Sequence, residues 1–200
     1  VGYFSYDCIR YIEDRLAHSS PPDTIGTPDA LFMLSEEVAV FDNLKNKLHL
    51  IILIDAENQK SEANKRLDEL EDKLKQPLPF EDFSAPKETI SESDFISGFG
   101  ESEFKHSVEK AKTYIEEGDI MQVVCSQLMS LPFTADPVAL YRSIRQLNPS
   151  PYMYYLNLED FHIVGSSPEI LARLEDRKVT VRPIAGTRRR GKDEKDDFAM

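Results

Sequence analysis

The stretch Asp136-Pro137-Val138-Ala139-Leu140-Tyr141-Arg142-Ser143-Ile144-Arg145-Gln146-Leu147-Asn148-Pro149-Ser150-Pro151-Tyr152-Met153-Tyr154-Tyr155 decides the fold class. Asp136 before Pro137 is a helix start: a carboxylate accepts from free amides, and proline at the first helical position has no amide to strand. Leu140, Ile144 and Leu147 recur at helical spacing and are predicted to point inward. Pro149 and Pro151 stop the helix, because proline cannot donate and disfavours a helical residue before it. Three strand-like runs follow, Tyr152 to Leu158, Phe161 to Gly165 and Lys178 to Ile184, with turns at Glu159-Asp160 and Asp176-Arg177. A helix followed by consecutive hairpins is not βαβ alternation. The predicted class is α+β with a large antiparallel sheet.

Toward the N-terminus the pattern stays mixed. Phe104, Val108, Ala111 and Ile115 form one apolar helical stripe, with Gly118 at the C-cap and a mostly apolar strand predicted over Ile120 to Leu128. Residues 76–93 are acidic and hold Pro77, Pro79 and Pro86; they read as a surface connection between two structural regions. Asn58 to Lys75 is a helix with Leu67, Leu70 and Leu74 on one face. A strand over Leu31 to Phe41 and the apolar run Leu48 to Ile54 flank the turn-rich Asp42 to Lys47, a hairpin with a loop longer than two residues. His18 to Asp29 is a proline-rich loop, and Val1 to Leu16 begins strand-like and turns helical. Val1 reads as the inside of a strand and Met200 follows a charged run, so both ends are expected to be cut from a longer chain.

Composition removes several function classes. The 200 residues carry 24 Lys+Arg against 36 Asp+Glu, a net charge of −12. That balance argues against a binder of nucleic acid or of anionic membranes. The longest apolar run, Leu50 to Ile54, falls far short of the ~18 residues of a membrane span. Cys8 and Cys125 are too few and too far apart for a disulfide framework or a metal motif; reduced thiols in a cytoplasmic protein are the expectation. No leader pattern opens the chain. The four histidines are scattered, and no general nucleophile, phosphate-loop or zinc signature occurs.

Four segments carry chemistry, each with a plain structural alternative. In Arg182-Pro183-Ile184-Ala185-Gly186-Thr187-Arg188-Arg189-Arg190-Gly191 a strand ends at nearly side-chain-free residues, so a ligand can approach the backbone; three arginines make a local positive spot. The alternative is a solvated loop. Gln122, in Gly118-Asp119-Ile120-Met121-Gln122-Val123-Val124-Cys125-Ser126-Gln127, either meets a ligand with its amide or points to the outer face of a sheet. Asn148 to Tyr155 is a rigid strand entry whose Tyr and Met side chains either line a pocket or pack as core. Gly165-Ser166-Ser167-Pro168-Glu169 reads as a turn whose carboxylate caps a short helix or ties down the loop.

In this order and spacing, VGYFSYDCIRYIE, GDIMQVVCSQ, NPSPYMYYL, VGSSPEIL and VRPIAGTRRRG resemble the chorismate-utilising enzymes, most closely the anthranilate synthase component I family. The resemblance runs from Val1 to about Gly191 and is weakest between Pro21 and Ser93. It implies an antiparallel β-sandwich surrounded by helices, of which this chain is an incomplete part forming a single chorismate-binding domain. It also implies formation of anthranilate and pyruvate from chorismate and ammonia, the first committed step toward tryptophan, with ammonia from a glutamine amidotransferase partner. Gly186 and Thr187 match the chorismate-contacting pair. Pro151, Tyr152 and Met153 match part of the tryptophan feedback pocket. Mg2+ is the implied cofactor, but its ligands and the catalytic residues are expected beyond Met200. The chain by itself is expected to be inactive.

Two positions discriminate within the resemblance. Ala185 stands where the para-aminobenzoate branch commonly carries a nucleophilic lysine, and alanine has no amine to attack with. Gln122 stands where the water-adding relatives carry a lysine base, and an amide cannot act as one. Arg189 and Cys125 depart from the family, which commonly has proline at both places. The rival readings are aminodeoxychorismate synthase component I and a non-catalytic interaction module.

Overall fold

The computed structural model describes residues 1–77, 90–184, 186 and 189–199. The chain divides into two units, Val1–Glu81 and Asp82–Met200. Of the connection expected over 76–93, residues 78–89 lie outside the described residues.

In the first unit β1 (Gly2–Phe4) pairs antiparallel with β2 (Ala30–Phe32), and the Phe4 and Phe32 rings meet edge-on at 4.9 Å. Two 3₁₀ turns, Tyr6–Tyr11 and Asp14–Leu16, follow β1. β3 (Glu37–Asp42) and β4 (Lys47–Ile52) form a hairpin closed by the pair Asp42↔Lys47. Its loop is longer than two residues, as expected. Asp42 Oδ1 accepts from the Leu44 and Lys45 amides, and Asn46 takes the left-handed conformation at φ 51°. The single strand predicted over Leu31 to Phe41 is two strands, because β2 pairs with β1 while β3 pairs with β4. Helix α1 (Lys60–Lys75) turns half-buried Leu67 and Leu70 toward the hairpin. Arg66 clamps it there with two hydrogen bonds to Glu37, Nε–Oε1 at 2.6 Å and Nη2–Oε2 at 3.1 Å.

The second unit opens with β5 (Ile96–Ser97), which pairs with β6 (Met129–Ser130). Between them lies α2 (Glu101–Glu116), ended by Gly118 at φ +83°, where a left-handed residue lets the Gly118 and Asp119 amides reach back to Ile115 and Tyr114. The strand predicted over Ile120 to Leu128 has no ladder. Its apolar residues have no partner strand among the described residues, and Met121 and Val124 stay 97% and 81% exposed. Gln122 is exposed as well. α3 (Pro137–Leu147) starts as predicted: Asp136 Oδ1 accepts from Val138 N at 2.6 Å and Ala139 N at 3.2 Å, with Pro137 at the first position. Of the residues predicted inward, Ile144 is half-buried, but Leu140 is 38% and Leu147, the last residue of the helix, 85% exposed.

β7 (Tyr152–Asn157) and β8 (His162–Ser167) form the next hairpin, with Glu159 left-handed at φ 69° in its turn. β9 (Arg173–Glu175), which was not anticipated, pairs with β10 (Lys178–Thr180) through Asp176-Arg177. Both turn residues have positive φ, 47° and 62°, the geometry that matches strand twist in a two-residue hairpin. The strand thus ends at Thr180 rather than Ile184; residues 181–184 have no ladder partner. The charged run near the end forms a short helix, α4 (Glu194–Ala199).

Every pairing is antiparallel and the content is mixed helix and strand, in keeping with the α+β class. The large sheet is not formed among the described residues: five two-stranded sheets stand in its place. Leu158, 7% exposed, is the one buried residue among them. No helix there is long and apolar enough to cross a membrane.

Candidate functional site

In the second unit α3, the bend after it and the β7–β8 hairpin pack together. α3 ends because Asn148 leaves helical geometry at φ −142°, ψ 70°, while its amide still donates to the Ile144 carbonyl at 2.8 Å. Pro149 and Pro151 carry no N–H, so the bend offers few donors of its own to the carbonyls at the helix end. β8 supplies one: Ser166 Oγ donates to the Asn148 carbonyl at 3.0 Å.

Register then distributes the side chains. Met153 stands opposite Ser166, Tyr154 opposite Gly165, and Tyr155 opposite Val164. Residues two apart share a face, so Met153, Tyr155, Val164 and Ser166 lie together. Tyr155 meets α3 through the Tyr141 ring at 6.4 Å, stacks on His162 at 5.6 Å, and shares a 3.1 Å hydrogen bond between its hydroxyl and His162 Nδ1. The opposite face carries Tyr152 and Tyr154, and the Tyr154 ring lies over Gly165, where a Cβ would collide with it. The predicted effector residues therefore occupy different settings. Pro151 and Tyr152 are exposed at the strand entry, while Met153 is half-buried on the α3 side.

The Gly165 to Glu169 segment differs from its reading as a turn. Gly165 to Ser167 belong to β8, and Ser167 Oγ donates to the Glu169 carbonyl at 3.0 Å. The loop is tied by a hydroxyl to a main-chain oxygen, and no helix follows for the carboxylate to cap. Sequence reasoning passed over Ser166. The available signal was a proline-bounded helix stop that left a carbonyl in need of a donor.

Gly186, the predicted substrate contact, is exposed and left-handed at φ +88°, with open space where a Cβ would stand. The bend is thus accessible, and its conformation suits a residue without a side chain. Thr187, with Ala185 and Arg188, lies outside the described residues. The positive spot expected from the arginine run is partly neutralised. Arg190 pairs with Asp197, whose Oδ1 also accepts from the Gly191 amide at 2.6 Å.

The first unit holds a separate polar cavity of about 550 Å³, lined by Ser5, Arg10, His18, Asp23 and Asp29 among others. Asp29 organises it: Tyr11 donates its hydroxyl to Oδ2 at 2.6 Å, and Arg10 lies 3.8 Å from Oδ1. Donation to that carboxylate raises the Tyr11 pKa, and the amides of Gly26 and Ile25 lower that of Asp23. No group of three His, Cys, Asp or Glu among the described residues could hold a metal ion.

Comparison with known proteins adds an independent line. A family model described as chorismate binding enzyme matches residues 1–200. The chain is 50% identical over 203 residues to anthranilate synthase component 1 of Pseudomonas aeruginosa, covering all of this chain and 41% of that protein. It is 48% identical over 198 residues to the protein of that name from Thermus thermophilus, covering 98% of this chain and 41% of the relative. The crystal structure of anthranilate synthase component I from Streptococcus pneumoniae TIGR4 superposes with a TM-score of 0.75 at 36% identity, over 90% of this chain and 41% of that one. The chain spans about 41% of the length of each of these relatives.

Proposed function

This chain belongs to the chorismate-binding enzyme family, and from that premise we propose that it forms part of an anthranilate synthase component I. The complete polypeptide would aminate chorismate at C2 with ammonia, lose water, and then eliminate pyruvate to leave the aromatic ring of anthranilate. The observation that carries the reading is Gly186 itself: exposed and left-handed, with open space where a Cβ would stand, it leaves its main chain open to a carboxylate. Ala185 supports direct attack by ammonia, since it offers no amine for a covalent intermediate. In this reading Gly186 and Thr187 contact chorismate, and the hairpins complete an antiparallel sandwich with the rest of the polypeptide. A glutamine amidotransferase subunit supplies ammonia. Mg2+ would be held by residues outside this chain.

Pro151, Tyr152 and Met153 form part of a regulatory tryptophan site in the same reading. The test of the reaction is product identification: the complete polypeptide, given chorismate and ammonia, should yield fluorescent anthranilate and an equal amount of pyruvate. Aminodeoxychorismate or isochorismate as the product would overturn it. Met153→Thr should relieve tryptophan inhibition with little change in uninhibited turnover; unchanged inhibition would remove the regulatory assignment.

A further inference from the structure

Ser166 touches both ends of the bend between α3 and β7. Its hydroxyl holds the Asn148 carbonyl at the start, 18 residues away in sequence. Its backbone position, directly opposite Met153, fixes the finish through the strand register. Between these points lie Pro149, Ser150, Pro151 and Tyr152, and the two prolines make the path stiff. A stiff segment pinned at both ends has few ways to move. Releasing the Asn148 end lets it pivot about the register pair, which displaces Pro151 and Tyr152 relative to Met153.

We propose that Ser166 is a positioning residue for the 148–153 bend, setting its affinity for the amino-acid effector by holding the Asn148 carbonyl. This rests on the reading that the bend is part of the tryptophan site. The hydroxyl is suited to the task. It reaches, from a half-buried position on the hairpin, a carbonyl at the end of α3 that has no intrahelical partner.

The experiment uses the complete polypeptide with its amidotransferase partner and compares Ser166→Ala, Ser166→Thr and Ser166→Cys with the parent. The tryptophan concentration for half-inhibition should rise about tenfold in Ser166→Ala, the scale of one lost hydrogen bond. The kcat and the KM for chorismate should stay within about twofold. Ser166→Thr, which keeps the hydroxyl, should restore most of the inhibition; Ser166→Cys, a weak donor of similar size, should behave like alanine and serves if the alanine variant fails to fold. Unchanged inhibition in the alanine and cysteine variants would overturn the proposal, as would equal losses of inhibition, kcat and thermal stability in all three. Met153→Thr run in parallel separates the two ideas. If it relieves inhibition while Ser166→Ala does not, the site stands and the positioning role falls. If neither matters, the site itself is wrong.

Discussion

Both units contain a hairpin with a helix docked on it, and they are held by different forces. In the first, α1 lies against β3–β4 through apolar residues and the Arg66–Glu37 clamp, both partners roughly half exposed. A groove of about 740 Å³ remains open between Val38, Ala39 and Leu50 on the strands and Leu70 and Leu74 on the helix. In the second, α3 meets β7–β8 through the Tyr141–Tyr155 ring contact and the Ser166–Asn148 hydrogen bond, and the hairpin turn carries the buried Leu158. An ion pair helps hold the first helix, whereas a ring contact and a neutral hydrogen bond of 3.0 Å hold the second. The candidate effector bend lies in the second arrangement.

The contrast can be broken most directly at the α3 cap. Asp136→Ala removes the acceptor for two helix-start amides and should cost about 1 kcal/mol, speeding hydrogen exchange of the Val138 and Ala139 amides roughly fivefold. α1 has no side-chain cap, so Gln59→Ala should leave α1 exchange unchanged. A smaller effect is expected from Tyr141→Leu, which keeps bulk but loses the ring pair; a loss of about 0.5–1 kcal/mol, read from exchange at Tyr155, would show that the aromatic contact matters beyond its area. Equal protection in the variant would place the docking elsewhere.

The smallest effect belongs to the exposed clamp. The hydrogen bonds from Arg66 hold the Glu37 carboxyl below its usual value of 4.5. A carboxyl with a depressed native pKa binds fewer protons folded than unfolded. The clamp therefore contributes fully above about pH 4.5 and is lost as the pH falls through the lower native value. A carbon-13 titration of Glu37 should show a midpoint below 4.5 that returns to it in Arg66→Ala. Salt at 1 M should weaken α1 docking and leave α3 unaffected.

Much of the fold was legible because short-range rules wrote it. Asp136-Pro137, Gly118 and Asp176-Arg177 act on backbone groups within a few residues, and each end or turn falls where expected. The misreadings share one cause. Leu31 to Phe41 divided, and Ile120 to Leu128 formed no ladder, because strand status depends on a partner that local pattern does not name. Of the candidate site, the bend after α3 was readable from proline chemistry, while the left-handed conformation of Gly186 came with the structure.

From residue order alone come the helix stop at Pro149, the side-chain-poor run at Ala185-Gly186 and the lack of an amine at position 185, since each depends on a residue and its immediate neighbours. Only the folded chain brings Ser166 to the carbonyl of Asn148, places Met153 on the α3 side with Tyr152 on the other, and turns Arg190 toward Asp197. The strand placements depend on register, and a shift of one residue would send Met153, Tyr152 and Ser166 to the opposite face.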